Sequence, residues 1–218
     1  MKPLLRKEFL LNLHPTAILF PFFAAFVFIP NYPYEVMFFF SGLSVFFICL
    51  TARENGDLAF TCAMPVEKGR VALSRMLLCM IFQCVILLFA GITTAIKELC
   101  LPVEMQINMA GSMANFAFLG FGLTLLGVFN IIFFPLHFGN PNKVGIPFVL
   151  AGVTQFLIII ALIILRFTVP LFRDILNTLD PAYMGAKAAV FIIGLAVYLG
   201  MSGLSAVLSA RRFARFDL

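Results

Sequence analysis

Six stretches of this chain carry no charged side chain at all: Phe9–Tyr34, Val36–Ala52, Met76–Ile96, Met105–Asn142, Val144–Leu165 and Ala188–Ala210. Runs of this length and polarity leave few choices. An apolar helix of about 20 residues crosses the roughly 30 Å hydrocarbon layer of a bilayer. Only structures that satisfy every backbone hydrogen bond internally survive there. Mean hydropathy is +1.07 and 62% of residues are hydrophobic. Only 11% are charged, against about 25% in a soluble domain. The expectation is therefore an all-α integral membrane protein, a single domain over 1–218 with six transmembrane helices.

The spans are expected at 15–30, 36–52, 76–96, 109–134, 144–165 and 188–210. Asn31-Tyr32-Pro33-Tyr34-Glu35 makes a hairpin link between the first two. The run Met105–Asn142 is too long for one crossing, and Pro135-Leu136-His137-Phe138-Gly139-Asn140-Pro141-Asn142 is rich in breakers, so the fourth span is expected to end near Phe134. Lys2, Arg6 and Lys7 before an apolar run imitate a signal peptide. However, Phe9–Tyr34 is longer than an h-region, and no small-x-small site follows.

Lys and Arg set the orientation. With the N-terminus inside, Lys2, Arg6, Lys7, Arg53, Lys68, Arg70, Arg75, Lys143, Arg211, Arg212 and Arg215 face the cytoplasm, and only Lys97, Arg166, Arg173 and Lys187 lie outside. Both termini are then cytoplasmic, in the plasma membrane. A net charge of +5 is topological in this reading. No basic patch interleaves with exposed aromatics, so nucleic acid is not an expected partner.

Other chemistry is thinly represented. Cys49, Cys62, Cys79, Cys84 and Cys100 include no C-x-x-C and read as packing residues. His14 and His137 are expected near the inner face without acidic residues at ligand spacing. No carboxylate lies in the middle of a span, which argues against an ion-coupled carrier, and H-E-x-x-H is absent. Polar residues within the spans include Gln83, Asn115, Thr124, Asn130, Thr154, Gln155 and Ser202, expected to bond between helices or to line a path. Arg166 is expected to snorkel outward. Gly120, Gly122, Gly127, Gly194, Gly200 and Gly203 suggest close helix contacts. Val169–Lys187 has Leu171, Phe172, Ile175, Leu176 and Leu179 at helical spacing, as in a short amphipathic helix at the outer surface.

The exception to this apolar pattern is Thr51–Arg75, which holds Arg53, Glu54, Asp57, Glu67, Lys68, Arg70 and Arg75. Gly56 can end a membrane helix, Asp57 can cap a new one, and Pro65 stops it. A helix of about two turns is expected, crosswise to the spans, with Leu58, Thr61 and Cys62 on one face.

Glu54, Gly56, Asp57, Leu58, Pro65, Val66 and Arg70 match the pattern E-x-G-[TD]-L-x6-P-[VL] plus a basic residue entering the third span. Leu4-Leu5-Arg6-Lys7-Glu8-Phe9 matches a common opening. In these features the chain resembles the membrane subunits of ABC-2 type exporters. The resemblance implies that Glu54, Gly56, Asp57, Leu58, Ala59, Phe60, Thr61, Cys62, Met64 and Pro65 form a coupling helix and its flanks. These would dock on a separate ATPase subunit that holds ATP and Mg. It also implies a second permease subunit, identical or not, and export of a hydrophobic or amphipathic substrate such as a peptide. No G-x-x-x-x-G-K-[ST] loop occurs in the chain, so it is not expected to be an enzyme. The alternative is a non-transporting immunity or sensor protein that binds a toxic peptide.

Overall fold

The computed structural model describes residues 1–30, 32–102, 106, 108 and 111–216. It is helical, with no strand among the described residues. In chain order the helices are α1 (Lys2–Leu11), α2 (Pro15–Leu19), α3 (Val36–Glu54), α4 (Asp57–Cys62), α5 (Lys68–Cys100), α6 (Phe116–Gly139), α7 (Gly145–Thr168) and α8 (Met184–Ala214). Among the described residues, five helical stretches, corresponding to α3, α5, α6, α7 and α8, are long and apolar enough to cross a membrane. A sixth crossing is available if the bent pair Lys2–Leu11 and Pro15–Phe28 counts as one span.

That first crossing differs from the single helix expected at 15–30. α2 runs into a 3-10 stretch, Phe20–Phe28, and the pair bends by 97° from α1. A 3-10 helix rises about 2.0 Å per residue against 1.5 Å for an α-helix. Pro15–Phe28 therefore reaches about 25 Å, some 4 Å further than the same residues would as α-helix. α1 is left lying across the base of the bundle.

The other spans run past their expected C-terminal ends. α5 begins at Lys68 and ends at Cys100. α6 continues through Pro135 to Gly139, past the expected stop. Burial accounts for this: Phe134 and Phe138 are fully covered, and Phe138 packs on Phe213 of α8 at a ring separation of 5.5 Å. The expected start of the fourth span, at Met109, lies outside the described residues, as does Asn31 of the first hairpin link. The outer amphipathic segment is a π-helical turn, Leu171–Leu176, followed by the 3-10 turn Pro181–Tyr183.

α6 and α8 form the tightest pair. A Cβ placed on Gly194 would lie 2.2 Å from the carbonyl oxygen of Gly120, so the two backbones touch. Gly127 also lies against α8, and Gly122 receives the ring of Phe38, whereas Gly200 and Gly203 face open space. Farther along, Gln83 Nε2 donates to Asn130 Oδ1 at 2.6 Å. Asn130 Nδ2 donates to Ser202 Oγ at 2.9 Å, and Tyr198 donates to Gln83 Oε1 at 3.0 Å. These bonds join α5, α6 and α8 in the apolar layer, so of the polar span residues at least Gln83, Asn130 and Ser202 hold helices together.

Arg166 does not snorkel. It is buried and ion-paired with the buried carboxylate of Glu35, the last residue of the first hairpin link. Its Nη1 also donates to Ser112 Oγ at 2.7 Å. The pair ties the end of α7 to the start of α3. The opposite, basal end gathers Thr51–Arg75, the Asn140–Lys143 turn and both terminal segments. Lys68 Nζ donates to the carbonyl of Phe216 there at 2.7 Å.

Candidate functional site

The site is built on the short helix α4. Gly56 precedes it in the left-handed region, φ 61°, where a residue without Cβ avoids strain. This turn reverses the chain from α3 into α4. Gly56 therefore occupies the N-cap position expected for Asp57, and Asp57 is the first helical residue. Pro65 lies three residues past the helix end, as expected of a stop.

Freed from capping, the Asp57 carboxylate points inward and is only 3% exposed. Lys7 Nζ donates to its two oxygens at 2.8 and 2.7 Å, Asn12 Nδ2 donates at 3.1 Å, and Arg75 is ion-paired with it. Lys7 also donates to Thr61 Oγ1 at 2.8 Å, one turn further along α4. Arg75 Nε donates to Glu8 at 2.9 Å, and Asn12 Nδ2 donates to Glu8 at 2.9 Å. Glu8, Asn12, Thr61 and Arg75 are fully buried.

Two cations and two carboxylates thus balance, which is the condition for burying charge at tolerable cost. Burial disfavours the charge on Asp57. The hydrogen bond from Lys7 and the charge of Arg75 outweigh that and hold its carboxyl below the ordinary range. The cluster joins three elements: α1 through Lys7, Glu8 and Asn12, α4 through Asp57 and Thr61, and α5 through Arg75. Asn55 Nδ2 adds a bond to the carbonyl of Leu11 at 3.1 Å.

The ten residues singled out in the sequence divide accordingly. Asp57, Leu58 and Thr61 face inward, with Leu58 only 7% exposed in the core. Cys62 is half-buried, and burial pushes its thiol up, as suits a packing residue. Glu54, Gly56, Ala59, Phe60, Met64 and Pro65 face out. Phe60 is 64% exposed, at the outer side of the helix. Beside this face, a cleft of about 450 Å³ separates Met1, Leu4 and Lys7 of the N-terminal segment from Met64–Glu67 and Arg70.

Reading the sequence missed Glu8 as a partner and treated Arg75 as a surface charge at the entry to a span. The available signal was position: Glu8 and Arg75 directly border charge-free runs, where an unpaired charge is costly. His14 accepts from the Thr16 amide at 3.1 Å and stacks on Phe47. His137 is buried beside Phe133 and Phe138. Among the described residues no group of His, Cys, Asp and Glu could hold a metal.

A family model described as "ABC-2 family transporter protein" matches residues 3–214, which includes every element of this site. No curated protein matches the chain, and no solved structure does.

Proposed function

The chain belongs to the ABC-2 transporter family, and on that premise we propose that it is the membrane-spanning subunit of an ATP-driven exporter with α4 as its coupling helix. The basal end faces the cytoplasm, in agreement with the Lys and Arg distribution. A separate ATPase subunit, carrying ATP and Mg, receives the outer face of α4. Two permease subunits act together, and the cargo is hydrophobic or amphipathic, a peptide being the favoured class.

One observation carries this reading. α4 presents Phe60 outward, with Met64 exposed just past its end, while its inner face is fastened by charge to α1 and α5. An exposed aromatic side chain of this kind is suited to anchor a protein interface. A docking helix that moved freely would transmit nothing, and the cluster of Lys7, Glu8, Asp57 and Arg75 removes that freedom. Closure of the ATPase pair would displace α4, and the cluster would carry the displacement into the long span α5 and the surface helix α1.

The test is ATPase stimulation in a reconstituted complex. Phe60→Asp and Met64→Asp are expected to abolish stimulation while the permease keeps its thermal stability. Stimulation that survives both substitutions counts against the assignment.

A further inference from the structure

A groove of about 420 Å³ runs along the seam between α5 and α8 at the basal end, lined by Leu73, Met76, Leu77, Met80, Leu199 and Gly203, among others. Its wall is apolar, and the one hydroxyl nearby, Ser202, is already engaged by Asn130. Met1 lies at its mouth. The next residue begins α1, which lies at 97° to the first crossing and carries Lys2 and Arg6 on one face, a helical turn apart. Leu10 and Leu11 are strongly exposed on the same helix and line a shared concavity with Lys2 and Arg6. Exposed leucines next to exposed cations mark a helix that lies in the headgroup region.

Among the described residues, neither Lys2 nor Arg6 forms an ion pair; Lys68, Lys143, Arg211, Arg212 and Arg215 form none either, but Lys2 directly follows Met1 of the groove and shares a concavity with Arg6. We propose that this seam binds an anionic phospholipid. An acyl chain fills the α5–α8 groove, and the phosphate and its charged headgroup rest on Lys2 and Arg6. The inference requires only that the chain is embedded in a bilayer and does not depend on transport.

Two contrasts favour a lipid over a second copy of the chain. A twofold pairing across this seam would bring each basic α1 toward its own copy, opposing like charges. The same seam holds a second groove, of about 470 Å³, nearer the other end, lined by Cys84, Leu88, Gly91 and Phe191. At that end Lys97 and Lys187 are buried and spent on the carbonyls of Val27 and Asp180. That groove offers a chain site without free cations, so no headgroup preference is expected there.

Native mass spectrometry of the full chain, titrated with palmitoyl-oleoyl phosphatidylglycerol or phosphatidylcholine, tests the proposal. Wild type is expected to retain phosphatidylglycerol in preference by about thirtyfold, as two interfacial cations at about 1 kcal/mol each would supply. Lys2→Gln with Arg6→Gln should abolish the preference and leave chain binding intact. Gly203→Leu puts a side chain into the groove from a position where an added Cβ meets nothing within 4 Å, and should abolish the preference for phosphatidylglycerol and lower retention of both lipids to what the second groove holds. Gly91→Leu, in the other groove, should leave the preference unchanged. Equal retention of both lipids by wild type, or phosphatidylglycerol retention unaffected by Gly203→Leu, overturns the proposal. So does conversion of a dimer to a monomer by Gly203→Leu with lipid retention unchanged, which would assign the seam to a second chain.

Discussion

Arg75 Nε lies 2.9 Å from a carboxylate oxygen of Glu8, which precedes it by 67 residues, and both side chains are completely buried. The same guanidinium holds Asp57. One residue of α5 therefore fixes both the surface helix α1 and the short helix α4. The strength of that fixation depends on charge balance. Arg75→Leu leaves Glu8 and Asp57 buried with Lys7 alone and is expected to cost about 3–5 kcal/mol. Glu8→Leu with Arg75→Leu restores one cation to one carboxylate and should cost less than Arg75→Leu alone. Thermal unfolding in detergent measures both, and additive losses would show that the charges act independently.

Acid should weaken the same joint. The folded protein holds the Asp57 carboxyl below its ordinary value of 3.8, so the unfolded chain binds the proton more readily. The stabilisation is therefore complete above that value and is lost as pH falls through the lower, folded value. Asp57→Asn should be less stable than wild type at neutral pH, with the gap closing on acidification below about pH 4. Melting temperatures from pH 7 to pH 3 give the comparison, and a gap independent of pH would contradict it.

The contact between α6 and α8 is expected to discriminate sharply between glycines. Gly194→Ala drives a methyl to 2.2 Å from the Gly120 carbonyl oxygen, and backbone cannot rotate aside. A loss of about 1–3 kcal/mol is expected from overpacking. Gly200→Ala meets no atom within 4 Å and should be neutral or stabilise by up to about 1 kcal/mol through helix propensity. Melting temperatures of the two variants separate these outcomes.

At the other end, Arg166→Leu strands Glu35 in the interior with Ser112 as its remaining polar partner among the described residues. A loss of about 3–5 kcal/mol follows for a broken buried pair. Arg166→Lys should recover part of it, since a single ammonium replaces the planar fork that reaches both Ser112 and Glu35. A snorkelling Arg166 would instead tolerate Leu with little change in unfolding temperature.

The spans were legible because charge is excluded from hydrocarbon, and charge-free runs can be read directly. Their ends were less legible. Pro135 looks like a stop, yet the aromatic packing of Phe134 and Phe138 carries α6 past it. Phe20–Phe28 gives no local sign of its 3-10 pitch. The position of α4 was marked by Gly56 and Pro65, but which of its residues face inward was not. The sequence puts Leu58, Thr61 and Cys62 on one face, and Leu58 and Thr61 are indeed buried while Phe60 is exposed, but that this face turns inward depends on Glu8 and Arg75, far away in the chain. Long-range ion pairs such as Glu8 with Arg75 and Glu35 with Arg166 leave no trace in local sequence beyond the presence of a charge where charge is costly.

The central claim is that the outer face of α4 is the contact for an ATPase. Replacing Phe60 with a photoreactive benzoyl-phenylalanine and irradiating membranes that contain the co-expressed ATPase tests it most directly. Leu88, 63% exposed on the wall of the span α5, serves as the lipid-facing control. The expected result is a covalent adduct with the phosphate-loop subunit from position 60, altered in yield by ATP, and none from position 88. No adduct from position 60, with the ATPase bound to the membranes, would contradict the account.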